Sequence, residues 1–181
     1  MTARFRRRGG KTIARFTEAE AGVLRQVVGE VVELLGGPEA AKEDPFSGLG
    51  LGAEPTAPED PVLARLLPDG YREDPEAAME LRRLTESSLR GEKVRNARVV
   101  LGMLPAAGGT VTLDDDEVVD VWLKALNDVR LALGTQLEVS EEMDLAEEVE
   151  ADPDSARAYS LVVYDWLGWL QDTLVRCVSV E

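Results

Sequence analysis

The sequence contains no histidine and only one cysteine, Cys177. Histidine is the most common general base and zinc ligand, so its absence excludes Ser–His and Cys–His nucleophiles and histidine-ligated zinc. A single thiol cannot form an internal disulfide or a thiolate metal site. Acidic residues are plentiful, which leaves carboxylate-based magnesium or glycosidase chemistry open. We therefore predict that the protein is not an enzyme and has no catalytic residues, cofactor or metal.

Long hydrophobic runs are also absent. Charged residues interrupt every apolar segment before it reaches the ~18 residues of a membrane span. The basic N-terminus MTARFRRRGGKTIARF is not followed by the apolar region and cleavage site of a signal peptide. We therefore expect a cytoplasmic protein with no membrane partner. Its 44% hydrophobic and 30% charged residues predict a single globular domain over residues 1–181.

Positive charge is scarce and concentrated at the N-terminus. The net charge is −15, yet residues 1–16 contain six cations and no acid, so the remaining residues carry −21. A compact basic segment can neutralise phosphates even on an acidic protein. We predict that this basic arm contacts DNA or a partner; the alternative is that its arginines pair with the acidic body and only orient the segment. The candidate residues are Arg4, Arg6, Arg7, Arg8 and Lys11.

The stretch RFRRRGGKTIARF predicts that the basic arm is a β-hairpin. Gly9 and Gly10 supply the two-residue glycine loop of a tight hairpin. In its first strand Phe5 and Arg7 face one side, and the other arginines face the opposite side. An isolated hairpin is only marginally stable in water, so we expect it to pack against the rest of the domain.

Four long amphipathic helices are predicted from capping signals and apolar spacing. Thr17 and Glu20 form a capping box that opens the first helix, which Gly36 and Gly37 end. Pro, Gly and acidic residues then predict a mobile loop over residues 38–61, followed by one or two helical turns in DPVLARLLPDGY.

Asp74 caps the second long helix, which could run to Leu104, where PAAGGTVTL breaks it. A capping box of Asp114 and Glu117 opens the third. The acidic residues 138–152 are helical in part, and Asp152 with Pro153 starts the last helix. The predicted fold is mainly α, a helical bundle of four main helices with a small N-terminal β-hairpin.

The stretch LNDVRLALG places three strongly polar residues in the third long helix. We predict that they form a buried polar network with the second long helix, in which Arg130 pairs with Glu92, and Asn127 with Asn96 or a backbone carbonyl. The alternative is a ligand or metal site formed by Asp128, Glu92 and Arg130, which no metal-ligand spacing supports. The network residues are Glu92, Asn96, Asn127, Asp128 and Arg130.

Other groups of residues allow a functional and a structural interpretation. The second long helix carries a row of cations, which we interpret as a salt-bridged face because Glu80 and Glu86 lie three or four residues from several of them. Trp166 and Trp169 could stack on bases, but their spacing is more typical of a core. Cys177 lies on an apolar stripe and is interpreted as an inert buried thiol. The cations in the row are Arg82, Arg83, Arg90 and Lys93.

Several segments together resemble a known family. They are FRRRGG, DPVLARLLPDGYREDPEAAMELRRLTESSLRGEKVRNA, WLKALNDVRLALGTQL and YDWLGWLQDTLV. These segments are similar to the actinobacterial family catalogued as domain of unknown function 2017. The resemblance implies an oxidative-stress transcriptional regulator that acts with a sigma factor and is encoded near cysteine-biosynthesis sulfur-carrier genes. A redox switch built on a thiol pair does not carry over, because Cys177 is alone.

Two functions remain as hypotheses. The first is a non-enzymatic transcriptional regulator of the oxidative-stress and cysteine-biosynthesis response, whose basic arm touches promoter DNA, a sigma factor or another transcription component. The second is a protein-binding adaptor in proteolysis or sulfur metabolism, which uses the acidic body and the loop. The sequence leaves a homodimer open.

Overall fold

The structure, a computed structural model, describes residues 1–36, 57–71 and 73–178. Within these ranges helices predominate, and three short strands form one sheet. The strands are β1 (Phe5–Arg8), β2 (Lys11–Phe16) and β3 (Gly109–Leu113). The helices are α1 (Glu18–Leu34), α2 (Pro61–Leu66), α3 (Pro75–Met103), α4 (Asp116–Gln136), α5 (Leu145–Ala151) and α6 (Ala156–Val178).

The predicted N-terminal hairpin is confirmed. β1 and β2 pair antiparallel with Arg8 opposite Lys11, so Gly9 and Gly10 form a two-residue loop. Both glycines have positive φ, 59° and 80°, as the two central residues of a type I′ hairpin turn require. The short loop fixes the register, and the register decides which face each arginine occupies.

A third strand extends this hairpin, and the sequence analysis missed it. β3 pairs antiparallel with β2, with Thr112 opposite Ile13, which gives the strand order β1-β2-β3. The stretch PAAGGTVTL had been interpreted only as a helix break, because five residues give a weak strand signal and the partner strand is far away in sequence. A Cβ on Gly108 would lie 2.6 Å from the backbone nitrogen of Glu18, so only glycine permits this close approach.

The inner face of the sheet packs on the helices through aromatic rings. Phe5 lies edge-on to Trp122 of α4 at 5.5 Å between ring centroids, and Phe16 stacks on Trp122 at 6.4 Å. Trp122 is fully buried. Large aromatic side chains bury much apolar surface, and their packing gives the short sheet the stability that it would lack alone.

Most of the predicted helix boundaries are confirmed. Thr17 and Glu20 form the capping box of α1, and Gly36 follows its end with a φ of 99°. Asp60 caps α2, with both the Val62 and Leu63 backbone N–H groups donating to its carboxylate. Asp74 caps α3, which ends at Met103.

Three predictions about helices need correction. Asp115, not Asp114, caps α4, because its carboxylate is the one that accepts from the Val118 N–H. The last long helix begins at Ala156 rather than at Asp152 and Pro153, and the Ser155 hydroxyl oxygen accepts from the Ala158 N–H at 3.0 Å. The described residues contain six helices rather than four, because the short α2 and α5 are separate elements.

Part of the predicted mobile loop lies outside the described residues. Of residues 38–61, the structure describes 57–61, of which Pro61 already belongs to α2. Among the helices of the described ranges, none is both long and apolar enough to cross a bilayer.

Candidate DNA or partner interface

Strand alternation places the N-terminal cations on one exposed face of the sheet. Phe5 is buried, whereas Arg6 and Arg8 point to the opposite face, where they pair across the strands with Ile13 and Lys11. The exposed Arg15 lies on the same face of β2, opposite Thr110 of β3. This outer surface is named the basic sheet face and comprises Arg4, which directly precedes β1, and Arg6, Arg8, Lys11 and Arg15.

Most cations of the basic sheet face have no counter-charge. Lys11 forms an ion pair with Asp114 at 2.6 Å, but both side chains are more than half exposed, so the pair contributes little. The other four cations make no ion pair or hydrogen bond with any residue in the described part of the chain. Of the arm cations, only Lys11 therefore pairs with an acid of the described residues, as the predicted alternative requires.

Arg7 differs from the other predicted arm residues. It lies on the inner side of β1, and its Nη1 donates a hydrogen bond of 3.1 Å to the backbone carbonyl of Cys177, at the end of α6. The last carbonyls of a helix carry partial negative charge and attract cations. Arg7 therefore ties the sheet to α6, while its four predicted companions face solvent.

Two polar side chains, Thr173 and Glu20, fix the start of the chain. The Phe5 backbone N–H donates to the Thr173 hydroxyl oxygen of α6 at 3.1 Å. The Glu20 carboxylate, 4% exposed, accepts hydrogen bonds from the backbone N–H groups of Thr2, Ala3 and Thr17. Burial alone would raise the pKa of Glu20, but these hydrogen bonds and that of the Thr17 hydroxyl outweigh it and hold the pKa at about 2. The arm is therefore a fixed part of the fold.

The predicted buried network between α3 and α4 has different partners. Asp128, whose side chain is 7% exposed, pairs with Lys93 at 2.6 Å. Burial raises the pKa of Asp128, and the Lys93 ammonium opposes that rise. Glu92 instead pairs with Lys124 at 3.3 Å near the surface. A one-residue step turns a helix by about 100°, so the position next to the predicted Glu92 is the one that faces the interior of the helix pair.

Arg130 and Asn127 were also assigned wrong partners. Arg130 faces α6, where its Nη1 donates to Gln171 Oε1 at 2.9 Å and its Cζ lies 5.5 Å from the ring centroid of Tyr164. Asn127 is exposed and Asn96 is half-buried. The polar residues of LNDVRLALG thus divide between α3, α6 and solvent. The alternative ligand site of Asp128, Glu92 and Arg130 fails for the same reason, because Arg130 does not face the other two.

The row of cations on α3 is a salt-bridged face, as predicted. Arg83 pairs with Glu80 at 2.7 Å and Arg90 with Glu86 at 2.8 Å. Arg82, whose side chain is 6% exposed, pairs with Glu86 at 2.6 Å and with Asp69 at 2.7 Å. The sequence analysis missed Asp69 as an ion-pair partner of Arg82. The signal that could have suggested it is an acid in the sequence PDG shortly before α3. These four ion pairs neutralise the three arginines of the row, and Lys93 of the row pairs with Asp128.

The sequence model of the family described as "Domain of unknown function (DUF2017)" matches residues 1–178. The chain belongs to this family. Two relatives are named oxidative stress regulator AosR, one from Mycobacterium tuberculosis (strain ATCC 25618 / H37Rv) and one from Mycobacterium bovis (strain ATCC BAA-935 / AF2122/97). Each is 31% identical over 173 residues, which cover 86% of this chain and 77% of the relative. No solved structure matches the chain significantly.

The only thiol of this DUF2017 chain lies in the core. Cys177 is buried on α6, and burial raises the pKa of its thiol, which the Arg7 cation only partly opposes. A raised pKa leaves little of the reactive thiolate at neutral pH, which agrees with the prediction of an inert thiol. Within the described ranges no group of three or more Cys, Asp or Glu residues is arranged to hold a metal ion.

The two candidate stacking residues of this DUF2017 chain have different environments. Trp166 is buried in the core, as the apolar spacing predicts, whereas Trp169 is 44% exposed. Both belong to α6, and neither lies in the strands that carry the basic sheet face. The core interpretation is therefore confirmed for Trp166 and wrong for Trp169.

Proposed function

We propose that this chain is a non-enzymatic regulator of the oxidative-stress and cysteine-biosynthesis response, and that it acts with the transcription machinery through its basic sheet face. The names of the mycobacterial relatives support a regulatory role and agree with a protein that is not an enzyme. The observation that carries the proposal is a set of four arginines that have no counter-charge among the described residues, on a chain of net charge −15. They are Arg4, Arg6, Arg8 and Arg15.

The charge distribution favours an anionic partner. A chain with 35 acids and 20 bases has counter-charges available, and Arg83 and Arg90 on α3 use them. An outer face that keeps its cations unpaired is free to exchange water and counterions for phosphates or for the carboxylates of a protein. The acidic remainder of the molecule repels a duplex, so DNA would approach only this face.

The fixed position of the sheet supports the same proposal. Hydrogen bonds from Thr2, Ala3 and Phe5 to helix side chains hold the N-terminal segment in place. The arginine backbones therefore lose little entropy when a partner binds, unlike those of a disordered basic tail. A sheet face also presents its side chains at a regular spacing, which favours repeated contacts to a phosphate backbone.

A titration with salt tests this function. Wild type and the triple variant Arg6→Ala/Arg8→Ala/Arg15→Ala would be compared for binding to a labelled promoter duplex and to RNA polymerase holoenzyme with its sigma factor. Each phosphate contact contributes about −0.9 to the log–log salt slope, so loss of three should flatten the DNA slope by about 2.7. The matched control is Arg65→Ala/Arg95→Ala/Arg98→Ala, which removes three exposed cations elsewhere without touching the sheet. The control should keep the wild-type slope.

The outcomes separate DNA from a protein partner. If the triple variant loses holoenzyme binding while wild type shows no duplex affinity, the sheet face contacts a protein of the transcription machinery. If wild type binds neither duplex nor holoenzyme at low salt, the proposed function is wrong.

One observation favours the adaptor as a second candidate. A groove of about 400 Å³ lies between α1, α2 and α4, with an apolar floor that includes Val31, Val62 and Val129, and with Glu30 and Asp60 among its lining residues. Such a groove suits an apolar protein segment with basic flanks. A stable complex with a protease adaptor that survives the sheet-face substitutions would favour this candidate.

A further inference from the structure

The three-stranded sheet has two edges, and α6 occupies one of them. At the β1 edge the Phe5 backbone N–H donates to the Thr173 hydroxyl oxygen, and Arg7 reaches the Cys177 carbonyl. β3 forms the other edge, and its backbone makes no hydrogen bond to any described residue outside β2. An edge strand of this kind presents unpaired N–H and C=O groups with which another strand can pair.

The hydrogen-bond pattern of the sheet identifies the backbone groups of β3 that point outward. In an antiparallel pair, opposite residues alternate between exchanging both backbone hydrogen bonds and exchanging neither. Phe5 sends its N–H to α6 and not to the opposite Ala14, so the backbone groups of Ala14 face β3, where Val111 is its partner. Thr110 and Thr112, on either side of Val111, therefore direct their N–H and C=O groups away from the sheet.

Nothing in the sequence of β3 blocks this edge. Its five residues, GTVTL, include no charged residue and no proline, two features that natural edge strands use to prevent further pairing. The Thr110 side chain is exposed and that of Thr112 is half-buried, so both residues are in contact with solvent. The outward backbone groups of β3 are therefore available to a fourth strand.

The charge beside this edge indicates what a fourth strand would carry. Thr110 lies opposite Arg15 of β2, on the outer face of the sheet. Arg15 is exposed and has no ion pair with any residue in the described ranges. Neighbouring strands lie about 4.8 Å apart, so a long arginine side chain can reach past the short Thr110 side chain to the next strand. An acid opposite Thr110 would supply the missing counter-charge.

A second copy of this chain fits the edge less well than a partner with an acid. Pairing of β3 with β3 of another copy would place two basic sheet faces on the same side of one six-stranded sheet, which like charges oppose. Asp114, at the other end of β3, disfavours a second acid there. The segment that fits best therefore carries one acid beside Thr110 and neutral β-branched residues elsewhere.

We propose that the free edge of β3 binds an extended segment of a partner protein, which adds as a fourth, antiparallel strand and places an acidic side chain beside Arg15. The backbone groups of Thr110 and Thr112 supply the affinity, and Arg15 supplies the preference for an acid. The inference rests on the proposed function only for the anionic character of the partner, because the backbone hydrogen bonds do not involve the arginines.

Amide hydrogen exchange of the ¹⁵N-labelled full chain, followed by NMR, tests this edge with the capped peptide Thr-Val-Glu-Val-Thr. In the free chain, the amide protons of Thr110 and Thr112 should exchange with solvent much faster than that of Val111, which bonds to β2. Saturation with the peptide should slow the exchange of both threonines by roughly tenfold or more, because their groups become hydrogen-bonded.

Two methylated peptides form a matched pair that leaves the protein unchanged. A peptide N-methylated at its Glu and at both Thr residues lacks the N–H groups that would bond to β3, so it should not bind. A peptide N-methylated at both Val residues has lost only N–H groups that point away from β3, so it should bind like the parent peptide.

Substitutions in the chain test the same hydrogen bonds from the other side. Thr112→Pro removes one outward N–H but no bond between β2 and β3, and proline is tolerated where an edge N–H faces solvent. Its affinity for the peptide should fall by roughly tenfold. Thr112→Val keeps the N–H and should bind as the wild type does. Arg15→Gln should weaken binding about threefold for this peptide, but not for Thr-Val-Gln-Val-Thr.

The proposal is overturned if the peptide gives no saturable protection at Thr110 and Thr112, or if folded Thr112→Pro binds it as tightly as the wild type. Should Thr112→Pro fail to fold, equal binding of the two methylated peptides would overturn it. A wild type that binds the duplex or the holoenzyme but no peptide contradicts the docking edge alone. A wild type that binds the peptide but neither duplex nor holoenzyme contradicts the proposed function alone.

Discussion

The outer face of the sheet and the first half of α3 both carry a row of cations, but only one row is neutralised. On α3, Arg82, Arg83 and Arg90 each contact a carboxylate within 2.8 Å. On the sheet, Arg6 and Arg8 have no such partner within the part of the chain that the structure describes. The two rows look alike in the sequence, because each contains several arginines close together. What distinguishes them is the spacing of the acids, because a helix brings residues three and four apart together.

This difference shows how charge should be interpreted on an acidic protein. A cluster of arginines indicates a binding face only when no acidic side chains neutralise it. The secondary structure determines whether acidic side chains lie close enough to do so. Strand alternation puts Arg6 and Arg8 of β1 on the outer side and Arg7 on the inner side, and none of the three strands contains an acid. Helical spacing gives the α3 arginines their glutamates, which makes that row a structural surface.

The largest expected effect comes from breaking the neutralised row at its buried member. Arg82→Ala removes one of the two cations that pair with Glu86, whose side chain is 18% exposed, and the ion-pair partner of Asp69. Removal of one partner from a buried ion pair costs about 3–5 kcal/mol, and because Glu86 keeps its pair with Arg90 we expect a loss near the lower end of that range. Urea denaturation would measure the loss. The control Arg83→Ala breaks an exposed pair on the same helix and should cost far less, because solvent screens that pair; equal losses for the two variants would contradict the distinction.

A similar loss of folding stability is expected at the contact between α3 and α4. It should follow substitution of Lys93 rather than of Arg130, the residue that the sequence suggests. Lys93→Ala leaves Asp128 buried without a partner and should cost about 3 kcal/mol. Arg130→Ala leaves no carboxylate behind, so it should cost only the contact with Tyr164 and one hydrogen bond, about 1–2 kcal/mol. Thermal melting of both variants tests this order. A larger loss for Arg130→Ala than for Lys93→Ala would contradict this order and support the buried network predicted from the sequence.

The contrast between these two residues shows how far sequence reasoning reached. Capping signals such as Thr17 with Glu20 and the glycine loop at Gly9 are local, so the sequence predicted them correctly. Partners across helices depend on the rotation of one helix against another, and periodicity leaves that rotation uncertain by one residue. That uncertainty is enough to exchange Glu92 for Lys93.

The candidate site was predictable in its residues and less so in its geometry. Alternation along FRRR separates Arg6 and Arg8 from Phe5, as expected. β3 was missed because its partner strand lies almost a hundred residues away and five residues give little strand signal. Without β3, the arm was predicted as a two-stranded ribbon rather than one side of a sheet.

Acid should loosen the attachment of the basic sheet face at Glu20. The pKa of Glu20 is about 2 when folded and 4.5 for an ordinary glutamate, so folding favours its ionised form. The resulting stability is fully present above pH 4.5 and is lost as the pH falls towards 2. A shift of this size corresponds to about 3 kcal/mol. Unfolding free energies measured at a series of pH values would show this loss in the wild type.

The variant Glu20→Gln isolates that contribution. It should be less stable than the wild type at neutral pH, and its stability should change less between pH 4.5 and 2. Glu18→Gln, an exposed substitution in the same helical turn, is the control and should retain the wild-type pH dependence. If Glu20→Gln follows the wild-type curve, the hydrogen bonds from Thr2 and Ala3 do not hold the segment.

The smallest stability effect is expected where the sheet face touches an acid. The pair between Lys11 and Asp114 is exposed on both sides, so Asp114→Asn should change the unfolding free energy by no more than about 1 kcal/mol. The same substitution leaves Lys11 without its ion-pair partner and removes one negative charge beside the arginines. The basic sheet face would then differ further from the row of cations on α3, whose members are paired. An anionic partner should therefore bind more tightly at low salt, with a steeper salt dependence.

Glu80→Gln frees Arg83 on α3 and changes the net charge equally, so it is the matched control. If both variants raise affinity alike, net charge alone controls binding and the sheet face has no special role.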